Sequence, residues 1–131
     1  MRLTYVLVPF VLTAVLSACG TTDPEASLSI APTQLTQIEQ ARKDCRLPAS
    51  AVGDDGRTLL VDHKGEDDTD GLSMDQLVCA LTALEVTDAL VAQMGATRAM
   101  DGVQTGSWGR YTAVWSYHPD SGLDLIVEDI S

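Results

Sequence analysis

Apart from those in an N-terminal apolar segment, the aromatic residues of this chain are Trp108, Tyr111, Trp115 and Tyr117, all within one short stretch. That concentration decides where a core can form, because aromatic side chains bury the most area per residue. Alternation over Arg110 to Tyr117 sets Tyr111, Ala113, Trp115 and Tyr117 on one face and Thr112, Val114 and Ser116 on the other. Leu123 to Ile130 alternates likewise, with Leu123, Leu125 and Val127 opposed to Asp124, Ile126, Glu128 and Ile130. Between them lies His118-Pro119-Asp120-Ser121-Gly122, where Pro is preset for the second position of a type I turn and Gly is free to take a positive φ. A hairpin pairing Tyr117 with Leu123, Trp115 with Leu125, Ala113 with Val127 and Ser116 with Asp124 satisfies both faces. A slip of one residue would set Asp124 and Glu128 on the aromatic face, so burial specifies the register.

Upstream, a first helix starts at Thr33 or Thr36, where Thr36 and Glu39 have capping-box spacing, and carries Leu35, Ile38, Ala41 and Cys45 on one side, with Pro48 ending it. Arg57 to Asp62 follows the turn-like Gly53-Asp54-Asp55-Gly56 and reads as a strand. A second capping box, Ser73 with Gln76, opens a helix whose stripe is Met74, Leu77, Val78, Leu81 and Leu84. Its opposite side is small, with Cys79, Ala80 and Ala83, which predicts a helix sandwiched between the sheet and the first helix. Thr87 or Asp88 caps a short third helix through Met94, closed by Gly95. Thr97 to Gln104 reads as strand and turn, the alternative being a continuing helix. The predicted fold is α+β, two or three helices packed on a small antiparallel sheet built around the C-terminal hairpin.

The chain begins with Met1-Arg2, an apolar run to Val15, and then Leu16-Ser17-Ala18-Cys19. This is an export signal, too short to make a stable membrane span. The last four residues resemble the lipobox of bacterial lipoproteins, in which a cysteine thiol is lipidated before cleavage in front of it. The resemblance implies a signal peptide over 1–18, a lipidated Cys19 and anchoring through two acyl chains. The alternative is cleavage by the ordinary secretory peptidase. Gly20 stands where the retention signal of Gram-negative lipoproteins would place Asp. The stretch to Pro32 is small and polar with two prolines, and reads as a tether over 19–32 spanning on the order of 20 Å. The alternative is an ordered N-terminal arm. A single domain over 33–131 follows.

With Cys19 committed to lipid in an oxidising compartment, Cys45 and Cys79 remain as one pair, expected as a structural disulfide or else as two free buried thiols. A formal net charge of −11 argues against nucleic acid and against lying flat on anionic lipid. Membrane contact is therefore expected through the acyl chains alone.

Glu66-Asp67-Asp68-Thr69-Asp70-Gly71 has the rhythm of an EF-hand calcium loop but fails at both ends, with Glu66 first and Leu77 where a bidentate Glu belongs. A solvated acidic loop is the expected reading, and neither metal nor cofactor is expected. His63 reads as an exposed loop histidine near those acids. His118 lies beside Asp120, with Ser116 and Ser121 nearby, but no nucleophile-elbow pattern is present, and a domain this small has little room for a deep cleft. Arg98, Asp101, Gln104 and Trp108 form a polar group leading into the aromatic strand. It is either a hydrogen-bonded turn with Arg98 and Asp101 paired or a recognition edge anchored by a partly exposed Trp108; a covered Trp108 would count against the edge.

The run from Thr97 to Gln104, then Trp108, then Trp115 to Leu123, resembles small exported actinobacterial proteins of unknown function. That resemblance implies one compact domain outside the cell and supplies no activity. The expected function is a lipid-anchored, non-catalytic module of the cell envelope with an envelope protein as its partner. The alternatives are a cation or small-ligand binder using the 66–70 carboxylates and a minor hydrolase acting around His118 and Asp120.

Overall fold

The computed structural model describes residues 34–131. The leader, Cys19 and the tether lie outside the described residues. From α1 (Gln37–Asp44) the chain passes to β1 (Val52–Gly53), β2 (Thr58–His63), α2 (Met74–Ala83), α3 (Asp88–Ala96), β3 (Gln104–Trp108), β4 (Tyr111–His118) and β5 (Gly122–Asp129). The strands form one antiparallel sheet in the order β1-β2-β5-β4-β3, which is the expected α+β class. The β4–β5 register is the one burial demands: Tyr117 faces Leu123, Trp115 faces Leu125 and Ala113 faces Val127. Gly122 closes this turn at φ 84°, and a Cβ there would sit 2.0 Å from the His63 carbonyl oxygen. Both the conformation and the close backbone approach therefore require glycine.

One face of the sheet carries Leu59, Val61, Leu125, Val127, Ala113 and Trp115, all buried against the helices. Tyr117 departs from the expectation: at the end of β4 the core has run out, and the ring is 38% exposed. β3 is an element that the sequence did not announce, because Gln104-Thr105-Gly106-Ser107 has no apolar period.

Both capping boxes form as expected, with Thr36 and Ser73 as N-caps. The C-terminus of α1 is a correction. It ends at Asp44, before Pro48, because Arg46 turns into the left-handed region at φ 55°. The Arg46 and Leu47 N–H groups then donate back to the Lys43 and Arg42 carbonyls, a Schellman motif without glycine. α2 ends the same way, with Glu85 at φ 55° and the Glu85 and Val86 N–H groups donating to Thr82 and Leu81. Leu35 lies ahead of α1 and is exposed rather than part of its buried side.

The α2 stripe is also corrected. Leu77, Ala80, Leu81 and Leu84 are buried, whereas Met74 and Val78 are 57% and 52% exposed. The buried arc is thus rotated towards Ala80, whose small side chain lets the helix sit close to its neighbours; α2 touches both β2 and α1 but keeps an exposed side. The expected contact with α1 is present. Cys45 and Cys79 are joined at an Sγ–Sγ distance of 2.01 Å, and Gln37 Nε2 donates to the Ala83 carbonyl.

α3 runs two residues past Met94, with Gly95 inside it. Its terminator is Thr97, whose N–H donates to the Met94 carbonyl and whose Oγ1 donates to that of Gln93. The strand expected within Thr97 to Gln104 is absent. A 3₁₀ turn over Ala99–Asp101 takes its place, and Gly102 at φ 64° redirects the chain into β3.

Candidate functional site

The polar group ahead of β3 resolves into a turn. Asp101 Oδ2 accepts from the Arg98 N–H at 2.7 Å and lies 3.8 Å from its guanidinium Nε, while Gln104 Nε2 donates to the Asp101 carbonyl. Trp108 belongs to the core. It is only 8% exposed, its indole N–H donates to the Leu84 carbonyl at 2.8 Å, and its ring lies against Tyr111. No exposed indole is left there to anchor a partner, because the C-terminus of α2 covers it.

The other sequence candidates do not assemble either. Asp68 Oδ1 accepts from the Asp70 N–H in a local turn. Among the described residues, no three His, Cys, Asp or Glu side chains come together to hold a metal ion. His63 is not a loop residue: it ends β2, opposite Leu123, and bridges to Leu72. His118 Nδ1 accepts from the Asp120 N–H at 3.4 Å, so this imidazole is engaged within its own turn.

The remaining feature is the solvent face of the sheet. Because β-strand side chains alternate, burying Leu59, Val61, Leu125 and Val127 forces Leu60, Asp62, Asp124 and Ile126 outwards. Register then stacks them across strands: Leu60 faces Ile126, which faces Val114, and Asp62 faces Asp124, which faces Ser116. Leu60, Ile126 and Val114 are 43%, 46% and 43% exposed, an apolar row bordered by two carboxylates. No hydrogen bond or ion pair from a described residue reaches the Asp62 or Asp124 carboxylate.

A groove of about 650 Å³ opens on this row. Pro48, Ser50 and Ala51 form one wall, Gly71, Leu72 and Gln76 another, and residues 60–62 of β2 with 124–126 of β5 the floor. It exists because β1 is short. On its outer edge β2 pairs with β1 only at Thr58 and Leu59 and meets Leu72 only at its far end, where the Leu72 N–H donates to the Asp62 carbonyl. Between those contacts, no strand among the described residues pairs with Leu60 and Val61 on that edge. The expectation of little room for a cleft is thereby revised: the space comes from an unfilled sheet edge rather than from domain size. The lining contains no histidine or cysteine, so Ser50 has no base beside it for nucleophilic chemistry. The groove sets apolar area at its floor beside the Asp62 and Asp124 carboxylates along one border.

Sequence reasoning placed Leu60, Asp62, Asp124 and Ile126 on strands, and the assigned alternation already set Asp124 and Ile126 away from the core. The groove was not visible, because it depends on which strand lies beside β2. Among the described residues, no helix is long and apolar enough to cross a membrane. No protein-family model matches the chain, and comparison with curated proteins and with solved structures finds no match.

Proposed function

We propose that this chain is a bacterial lipoprotein, anchored on the extracytoplasmic face of the cell membrane through acylated Cys19, and that its domain is a non-catalytic binding module with the β2-edge groove as its ligand site. The observation that carries the binding reading is the groove itself, where Leu60 and Ile126 lie exposed beside two carboxylates that no described residue pairs with, and where no histidine or cysteine is among the lining residues. The anchoring reading is supported by Leu16-Ser17-Ala18-Cys19 after an apolar leader and by an acidic composition that gives the domain no affinity of its own for anionic lipid.

Two measurements test the two halves. Labelled palmitate should enter the full chain and be absent from Cys19→Ala, which should leave the membrane fraction; labelling that survives the substitution would refute the anchor. A photo-crosslinking residue should capture an envelope component in the tethered protein when placed at Ile126 and not when placed at Ala89 on α3. Equal capture at both positions would remove the groove as the site.

A further inference from the structure

Resting on the groove as the ligand site, we infer that its occupant is an extended basic peptide segment, whose lysine or arginine stem lies across Leu60 and Ile126 and whose cation sits between Asp62 and Asp124. The first argument is charge. Directly opposed residues on neighbouring strands hold their Cβ atoms about 5 Å apart, so like charges there repel. Asp62 and Asp124 are such a pair, exposed, and no described cation offsets them. The floor also lies close to a strongly acidic segment, since Glu66, Asp67, Asp68 and Asp70 immediately precede the wall residues Gly71 and Leu72, and these four acids outnumber the nearby bases Lys64 and Arg46, the latter two residues before the wall residue Pro48. The field at the groove therefore draws cations and repels anions.

The second argument is the kind of cation. A calcium ion takes six to eight oxygen ligands, which two carboxylates on a flat sheet face do not supply. An ammonium or guanidinium on an aliphatic stem needs fewer contacts, and its methylenes cover apolar surface while the charge stays at the rim. Leu60 and Ile126 are adjacent to the carboxylates in register and provide that surface. The third argument is size and edge. A volume of about 650 Å³ exceeds one side chain and accommodates several residues. The β2 edge between β1 and Leu72 has no strand partner among the described residues, so an extended main chain has groups to pair with there.

The test uses the purified full chain in detergent with its disulfide intact and a fluorescein-labelled Val-Lys-Val-Lys-Val peptide. Anisotropy should show binding that weakens as salt rises, with Asp62→Asn and Asp124→Asn each reducing affinity at least tenfold. The same two variants should melt at or above the temperature of the parent, because each removes a like-charge repulsion; a residue serving the fold would shift melting the other way. Unchanged affinity in both variants, no binding of the lysine peptide, or equal binding of Val-Gln-Val-Gln-Val would overturn the inference. Spermidine displacing the peptide at equal concentration would overturn the peptide in favour of a free amine. Ile126→Asp separates the two levels. If the glutamine peptide binds and this substitution abolishes it, the groove stands and the cation falls; if binding survives the substitution, the groove falls as well.

Discussion

At the residue scale, the core is held by single polar atoms placed beside aromatic ones. The Trp115 indole N–H is buried and donates to Thr97 Oγ1 at 2.9 Å, and that hydroxyl in turn donates to the Gln93 carbonyl. Thr97→Val keeps the shape and removes both bonds, leaving a buried donor without a partner. We expect a loss of about 1–3 kcal/mol in urea unfolding, with unchanged secondary structure by circular dichroism. Tyr111 follows the same logic, its hydroxyl donating to Gln37 Oε1 while Gln37 Nε2 donates to the Ala83 carbonyl, so one glutamine joins α1, α2 and β4. Neither Thr97 nor Gln37 stands out in the sequence, since each looks like an ordinary polar helix or loop residue. Trp108 and Trp115 were legible as core formers, but their hydrogen-bond partners were not, because those partners arrive from distant positions.

At the element scale, the helices start where local chemistry says and stop where packing says. Thr36–Glu39 and Ser73–Gln76 are local signals satisfied within one turn, so both N-termini were readable. The C-termini use Arg46 and Glu85 in the left-handed region, where a β-carbon is strained and glycine is the usual occupant. Exposed Glu85 can therefore be replaced: Glu85→Gly should raise stability by about 0.5–1 kcal/mol, the relief of strain exceeding the added backbone entropy of the unfolded chain. Differential scanning calorimetry checks the sign, and a lower melting temperature would show that the Glu85 side chain makes a compensating contact. The β4–β5 hairpin was legible in full register because alternation and turn chemistry agree. β3 was not, because an edge strand of small polar residues owes its place to pairing with β4 rather than to its own pattern.

At the scale of the whole molecule, two ties close the domain. The Cys45–Cys79 bond joins the end of α1 to α2 over a sequence separation of 34. Replacing both cysteines with alanine should cost about 4 kcal/mol on the chain-entropy account, read as a lower denaturation midpoint. Dithiothreitol should lower the midpoint of the parent and leave the double variant unaffected. The second tie is at the C-terminus. Asp129 is buried; burial by itself raises its pKa, but the Ser131 N–H and the Arg110 guanidinium outweigh this and hold the carboxyl below its usual range. A carboxyl lowered in the folded state contributes stability that is present above its unfolded value and lost as pH falls through the folded value. The acid limb of the stability curve, below the ordinary carboxylate range, should therefore be shallower in Asp129→Asn than in the parent. Parallel limbs in the two proteins would show that Asp129 is not a source of that slope.

The sequence by itself determined the α+β class, the hairpin and its register and the two capping boxes, each of which rests on neighbours in the chain. For Cys45 and Cys79 it left a disulfide or two free thiols, and the structure joins them. Tertiary structure decided that α2 turns Ala80 inwards and Val78 outwards, that Trp108 is covered by the end of α2, and that the outer edge of β2 stays partly unpaired. Burial arcs, aromatic coverage and strand order depend on residues far apart in sequence. The groove belongs to this second group: its floor is spelled out by alternation in β2 and β5, but only the strand order β1-β2-β5-β4-β3, with β1 pairing at two residues, leaves the β2 edge beside that floor partly unpaired among the described residues.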